Sequence, residues 1–120
     1  MGDAAVLHKP GEAVTLTAGA DITGGQLVYL SGDLVVSPTT GALSTVRGVA
    51  AHDAKSGEKV TVLSGVVVEL AADGAIAAGA LVVSAAAGAA ATIASNTFDK
   101  LVGIAESAAA SSKVRVKLFR

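Results

Sequence analysis

The sequence predicts an all-β fold: a small β-barrel or sandwich built from two related half-units, with an extended N-terminal arm. Short Val-rich runs recur along the chain, separated by Gly and Ser turns, as strands of a barrel or sandwich do. The chain also repeats itself. ITGGQLV at 22–28 returns as IAAGALV at 76–82, GVA at 48–50 as GIA at 103–105, and KVTV at 59–62 as KVRV at 113–116. The offsets are 54, 55 and 54 residues, so the three matches share one register with a single residue of slip. Finally, Gly24, Gly25, Gly32, Pro38 and Gly41 break any helix in the first copy, and the repeat extends that exclusion to the Ala-rich second copy.

Taken in order, residues 1–9 lack periodicity and form the arm, which ends at the turn signal Pro10-Gly11. Residues 10–120 form one β-domain, divided into copies at about 13–70 and 71–120. AVTLTA at 13–18 alternates and reads as a strand. QLVYL at 26–30 and DLVVS at 33–37 flank Ser31-Gly32, a hairpin signal. Residues 38–41 form a further turn, VRGVA at 46–50 a strand, and 52–57 a polar turn. The run 58–70 is strand-rich, with Gly65 as a bulge or bend. In the second copy LVV at 81–83 is a strand, the Ala/Gly run a connection, and ATIAS at 91–95 a short strand. KLVGIA at 100–105 and KVRVKLF at 113–119 are strands joined by a turn or single helical turn at 106–112.

Composition limits the core. The chain has 26 Ala and 17 Val but only three aromatic residues, Tyr29, Phe98 and Phe119. Ala brings little area to bury, so the core is expected to be thin, with part of the stability supplied by association with other chains. Half of 120 residues buries too little alone, so the two copies are expected to share a core. A net charge of −1 with no basic block gives no long-range attraction to nucleic acid. The absence of Cys excludes disulfides and thiolate metal sites. Residues 1–12 hold no apolar run long enough for a signal peptide, and Val6 stands where myristoylation at Gly2 wants Ser or Thr. Residues 74–98 carry no charge, yet Ala, Gly and Ser95-Asn96-Thr97 make a poor membrane span, and no membrane partner is expected.

Catalytic vocabulary is sparse. His52 precedes Asp53, but adjacent strand residues point to opposite faces and no G-x-S-x-G nucleophile motif occurs, so 52–57 reads as a polar turn. GVAAHDAKS at 48–56 lacks the Gly directly before Lys55 that a phosphate loop needs. The carboxylates do not cluster at metal-ligand spacing. No enzyme activity, cofactor or metal is expected. Phe98-Asp99-Lys100-Leu101 resembles the Asp-Lys core of lipoyl and biotinyl carrier domains. Those domains place the Lys between their two halves and follow it with a small residue. Lys100 lies late in the second copy and precedes Leu101, so it is expected to open a strand with its charge in solvent.

The last strand has the cleanest pattern. Lys113, Arg115 and Lys117 alternate with Val114, Val116 and Leu118, which puts three cations on one face and three apolar residues on the other. That face is either solvated or a contact for an acidic partner surface. The initial Met and the strand at the last residues fit a complete protein.

One resemblance covers about residues 10–118. Pro10-Gly11-Glu12, Ile22-Thr23-Gly24-Gly25, Gly48-Val49-Ala50, Asp53-Ala54, Gly57-Glu58, Gly65 to Leu70, Gly103-Ile104-Ala105 and Val114 to Leu118 together resemble bacteriophage capsid cement, or head decoration, proteins. The Ala-rich stretch 85–91 departs from that pattern. The resemblance implies a non-enzymatic virion protein, made in the host cytoplasm. It would add to the outer surface of the expanded head, as a homotrimer, and bind the major capsid protein. The contacts expected of it are Val6, Leu7, His8 and Lys9 in the arm, and Lys113, Arg115, Lys117 and Arg120 at the C-terminal end. A tail or baseplate β-module is the alternative virion role, and a carrier domain the alternative outside the virion.

Overall fold

The computed structural model describes residues 13–94 and 98–120. Ten strands follow in order: β1 Val14–Ala18, β2 Leu27–Gly32, β3 Val35–Pro38, β4 Val46–Ala50, β5 Lys59–Leu63, β6 Val67–Ala71, β7 Leu81–Ser84, β8 Ala90–Thr92, β9 Leu101–Ala105 and β10 Lys113–Leu118. A 3-10 turn, Phe98–Lys100, leads into β9. Strands β1 to β5 close into a barrel in the order β1-β3-β2-β4-β5, and β6 to β10 form a five-stranded sheet in the order β6-β10-β9-β7-β8.

These are the same topology used twice. Position 18 pairs with 36 in parallel across the β1–β3 seam, and the copied positions 72 and 90 make the bridge that brings β6 beside β8. The Gly19 amide donates to the Val36 carbonyl at 2.8 Å, as Asp73 does to Ala90 at 2.7 Å. Gly25 donates to Ala50 at 2.8 Å, as Gly79 does to Ala105 at 2.8 Å. The second sheet is therefore a barrel whose last seam is held by a single bridge. The sequence reading placed 67–70 in the first copy, but β6 pairs with β10 and opens the second. Gly65 is the bend between the two barrels, and the division falls there.

The interior of each barrel is filled by the same residues. In the first these are Val14, Leu16, Ala18, Ile22, Val28, Val36, Ala50, Ala54, Val60 and Val62. In the second they are Val68, Leu70, Ala72, Ile76, Val82, Ala90, Ala105, Ala109, Val114 and Val116. Pair by pair the two sets differ only at Val36 and Ala90. Period-two alternation sends these side chains inward, and a five-stranded barrel leaves room for little beyond Val, Ala and one Leu.

The repeated Gly-Val-Ala and Gly-Ile-Ala triplets have a steric cause. A Cβ on Gly48 would stand 2.2 Å from the Leu63 carbonyl oxygen, and one on Gly103 would stand 2.3 Å from that of Lys117. The register of β4 on β2 and of β9 on β7 shifts at these glycines, so each marks a bulge where strands approach closely. Ala50 and Ala105 then point inward, and Val49 and Ile104 outward.

The barrels are joined through one side of the first. Leu27, Val46 and Val49, on the outside of β2 and β4, share one buried cluster with Val102 and Leu118 at the end of the second barrel, with Leu43 and Leu63 packed against it. Polar groups complete the junction. The Leu27 amide donates to Gly88 at 2.9 Å, and Thr40 bridges to Ala86. The buried Thr39 hydroxyl donates to the Ala85 carbonyl at 2.7 Å. The buried Ser84 hydroxyl donates to Gly41 at 2.8 Å and accepts from the Leu43 amide at 3.1 Å.

Other local readings shift. The β2–β3 turn lies at Asp33-Leu34 and not at Ser31-Gly32, because 31–32 continue β2 through a register shift. Ala90, read as connection, belongs to β8 with Ala91 and Thr92. Residues 106–112 hold a turn and a bridge from Ala110 to Lys113.

Replacing Gly103 by Ala is expected to cost about 2–4 kcal/mol in urea unfolding, because the obstructing atom is backbone. Gly41→Ala, with nothing within 4 Å of its added carbon, should stay within about 0.5 kcal/mol. Ser84→Ala leaves a part-buried amide and carbonyl without their partner and should cost roughly 1–2 kcal/mol in the same measurement.

Candidate functional site

The functional candidates fall on surfaces. Val6, Leu7, His8 and Lys9 lie outside the described residues. Lys113, Arg115 and Lys117 project from the outer face of β10, which lies between β6 and β9. Their cross-strand neighbours decide what that face is. Arg115 stands opposite Glu69, and its Nε lies 3.1 Å from Glu106 Oε1. Lys113 stands opposite Ala71, and Lys117 between Val67 and Ile104. The middle cation is therefore balanced by carboxylates, while the two outer lysines carry the positive character. Phe119 continues the row, 52% exposed, beside half-exposed Val67.

Arg120 has a different role. Its guanidinium donates to the Ser44 carbonyl and to the Asp99 carbonyl, each at 2.6 Å. With the Gly65 amide donating to the Arg120 carbonyl at 3.1 Å, it ties the C-terminus to the loops of both barrels. Sequence reasoning missed this, because nothing in a terminal Arg marks its carbonyl partners.

The remaining polar clusters serve the backbone. His52 Nδ1 lies 2.8 Å from the Asp53 carbonyl oxygen, and Nε2 accepts from the Thr61 amide at 3.2 Å. Asp53 Oδ1 accepts from the Gly24 amide at 2.8 Å. His52 and Asp53 thus fasten a polar turn and do not face each other as an acid–base pair. An open groove of about 490 Å³ is lined by Asp21, Asp53, Lys55 and Glu58 among others. Asp21 Oδ1 accepts from the Ser56 amide at 3.0 Å and Glu58 Oε1 from the Lys55 amide at 2.7 Å. Among the described residues no group of three His, Cys, Asp or Glu is placed to hold a metal ion. Lys100 ends the 3-10 turn, half-buried, one residue before the strand it was expected to open. No helix among the described residues is long and apolar enough to cross a membrane.

The chain has clear relatives. A family model described as phage cement protein matches residues 8–119. No curated protein matches it. Among solved structures it is similar to the N base of head fiber gp8.5 in bacteriophage phi29, at 20% identity and a TM-score of 0.67, over 89% of this chain and 92% of that one. At that identity the likeness establishes a common fold.

Arg120→Ala removes two short hydrogen bonds between loops and should lower stability by about 1–2 kcal/mol in urea unfolding. Glu106→Gln acts on an exposed pair and should change it by less than about 0.5 kcal/mol.

Proposed function

The chain belongs to the phage cement protein family, and we propose that it binds the outer surface of the expanded head and holds neighbouring major capsid subunits together. The family match over 8–119 carries this reading. The fold supports it: two barrels around a shared cluster make a stiff body whose polar groups are spent on its own turns. Sheet closure leaves few strand edges for unwanted pairing, as a protein displayed at high density requires. The head fiber of phi29, similar in fold, favours a position on the head over one on the tail or baseplate.

In this reading the body binds as a homotrimer, and its surface chemistry supports one face as the contact. Lys113 and Lys117 offer spaced cations beside Val67 and Phe119, a mixed face suited to an acidic capsid surface with apolar rims. The arm with Val6, Leu7, His8 and Lys9 supplies a second attachment. Several weak sites on one oligomer add by effective concentration, so no single contact needs to be strong.

Mixing the purified chain with expanded, DNA-free heads and sedimenting them tests this. Saturable co-sedimentation is expected, and a chain that stays in the supernatant at low salt would remove the reading. Deleting 1–9 should lower occupancy while the circular dichroism of the β-body is kept. Lys113→Glu with Lys117→Glu should reduce occupancy about tenfold or more at low salt and less at high salt, where screening has already weakened the pair.

A further inference from the structure

Because the chain is a duplication, each surface of one barrel has a counterpart on the other. The junction between the barrels uses one surface of each, and the counterparts of both are left uncovered. On the first barrel this surface is buried Leu27, Val46 and Val49 with half-buried Leu43 packed against them. Offsets of 54 and 55 carry these to Leu81, Phe98, Leu101 and Ile104 on the second barrel. The strand pairing confirms the register: Leu27 faces Val49 as Leu81 faces Ile104. This counterpart is also apolar, but Leu81, Leu101 and Ile104 are only half-buried and Phe98 is 60% exposed.

The receiving surface changes more: its apolar floor of Val102 and Leu118 corresponds to Arg47 and Ser64, hydrogen-bonded at 3.1 Å, and its exposed apolar side chains stand on the hairpin alone. In the junction that surface includes the β7–β8 hairpin, with Ser84 and Gly88. Their counterparts on the β2–β3 hairpin are Leu30 and Leu34, 42% and 72% exposed. Leu34 takes φ 58°, as Gly88 takes 73°, although Ala87 before Gly88 is also left-handed at 57° and its counterpart Asp33 is not, and a Leu is strained there. Of the five large exposed apolar residues among the described residues, Leu30, Leu34 and Phe98 lie at counterpart positions of the junction, and Phe119 adjoins them beside β9.

The substitutions between the copies are complementary across this pair of surfaces. Within the chain, Gly88 packs on Gln26, and a Cβ there would stand 2.4 Å from the Gln26 Cβ. At the counterparts the large and small residues are exchanged, to Leu34 and Ala80. Within the chain, the Ser84 hydroxyl meets the Leu43 amide. At the counterparts both positions are large and apolar, Leu30 and Phe98. Thr39, which donates to Ala85, is replaced by Ile93. Leu30, Leu34 and Ile93 thus put apolar side chains where the junction has Ser84, Gly88 and Thr39, while Ser31 and Asp33 stand where it has Ala85 and Ala87.

We propose that the chain self-associates head to tail, the second barrel's face of Leu81, Phe98, Leu101 and Ile104 receiving the β2–β3 hairpin, Leu30 and Leu34, of a second copy. The contact is a loosened version of the internal junction, because Leu34 holds the backbones further apart than Gly88 does. It is heterologous, so it closes into a ring when its rotation allows, which accords with the trimer proposed above. The inference deepens that part of the proposed function and does not depend on capsid binding.

Light scattering on the full chain tests it with Leu34→Asp and Phe98→Glu. Both positions are exposed, and Asp tolerates the left-handed backbone of Leu34, so each variant should fold with the parent's circular dichroism. Each should weaken assembly about tenfold or more. Mixed together, they should form a dimer and nothing larger, because the Leu34→Asp chain keeps its face and the Phe98→Glu chain keeps its hairpin. A monomeric parent, variants that assemble as the parent does, or variants that fail to pair would each overturn the proposal. Sedimentation with expanded heads separates the two ideas. Variants assembling normally on decorated heads overturn this contact alone, and a chain that assembles as described but ignores heads overturns the cement reading alone.

Discussion

The structure depends on the burial of one barrel's outer face against the end of the other. Each barrel interior is built from Val, Ala and a single Leu and Ile, which together remove little apolar area from water. A body of that size is marginal alone. Leu27, Val46 and Val49 add the area that is missing, and they do so by closing the second barrel's end over Val102 and Leu118. The first barrel's corresponding end has Arg47 donating to Ser64 at 3.1 Å. One end is sealed by a neighbour and the other by a hydrogen bond, and that difference distinguishes the two copies more than anything inside them.

The sequence made the duplication legible because its constraints are absolute. A Gly with a carbonyl 2.2 Å from its missing Cβ admits no substitute, so Gly48 and Gly103 survive in both copies. Interior positions of a narrow barrel admit only residues of one size, so Ile22 and Ile76, or Val60 and Val114, remain alike. The start of the second copy was not legible. VTLTA at 14–18 and VELAA at 68–72 share only inward Val, Leu and Ala, and their outward residues follow solvent and neighbours. Nor was the β2–β3 turn, because Gly32 reads as a turn residue and Leu34 does not, while the chain puts the left-handed residue at Leu34.

The candidate surface was legible in half. Alternation placed Lys113, Arg115 and Lys117 on one face, and β10 presents them so. Period alone could not show that Glu69 and Glu106, distant and near in sequence, gather at Arg115 and leave the two lysines as the effective charges. Arg120 was grouped with them by charge, yet its geometry makes it a tie between loops. A side chain's charge is written in the sequence, and what neutralises it is decided by strand order.

A strained, exposed leucine is the feature that a stability argument alone leaves unexplained. Leu34 holds a left-handed backbone at a cost of order 1 kcal/mol, and Gly, as used at position 88, would remove it. Its side chain recovers nothing inside its own barrel, being 72% exposed. In the other copy the same position is Gly because a neighbouring barrel presses on it at Gln26. A Leu there answers the opposite condition, a space to be filled at a partner lined by Ala80 and Phe98. The proposed association accounts for strain held at a surface that the fold does not need filled, and it would supply the area that the thin core lacks.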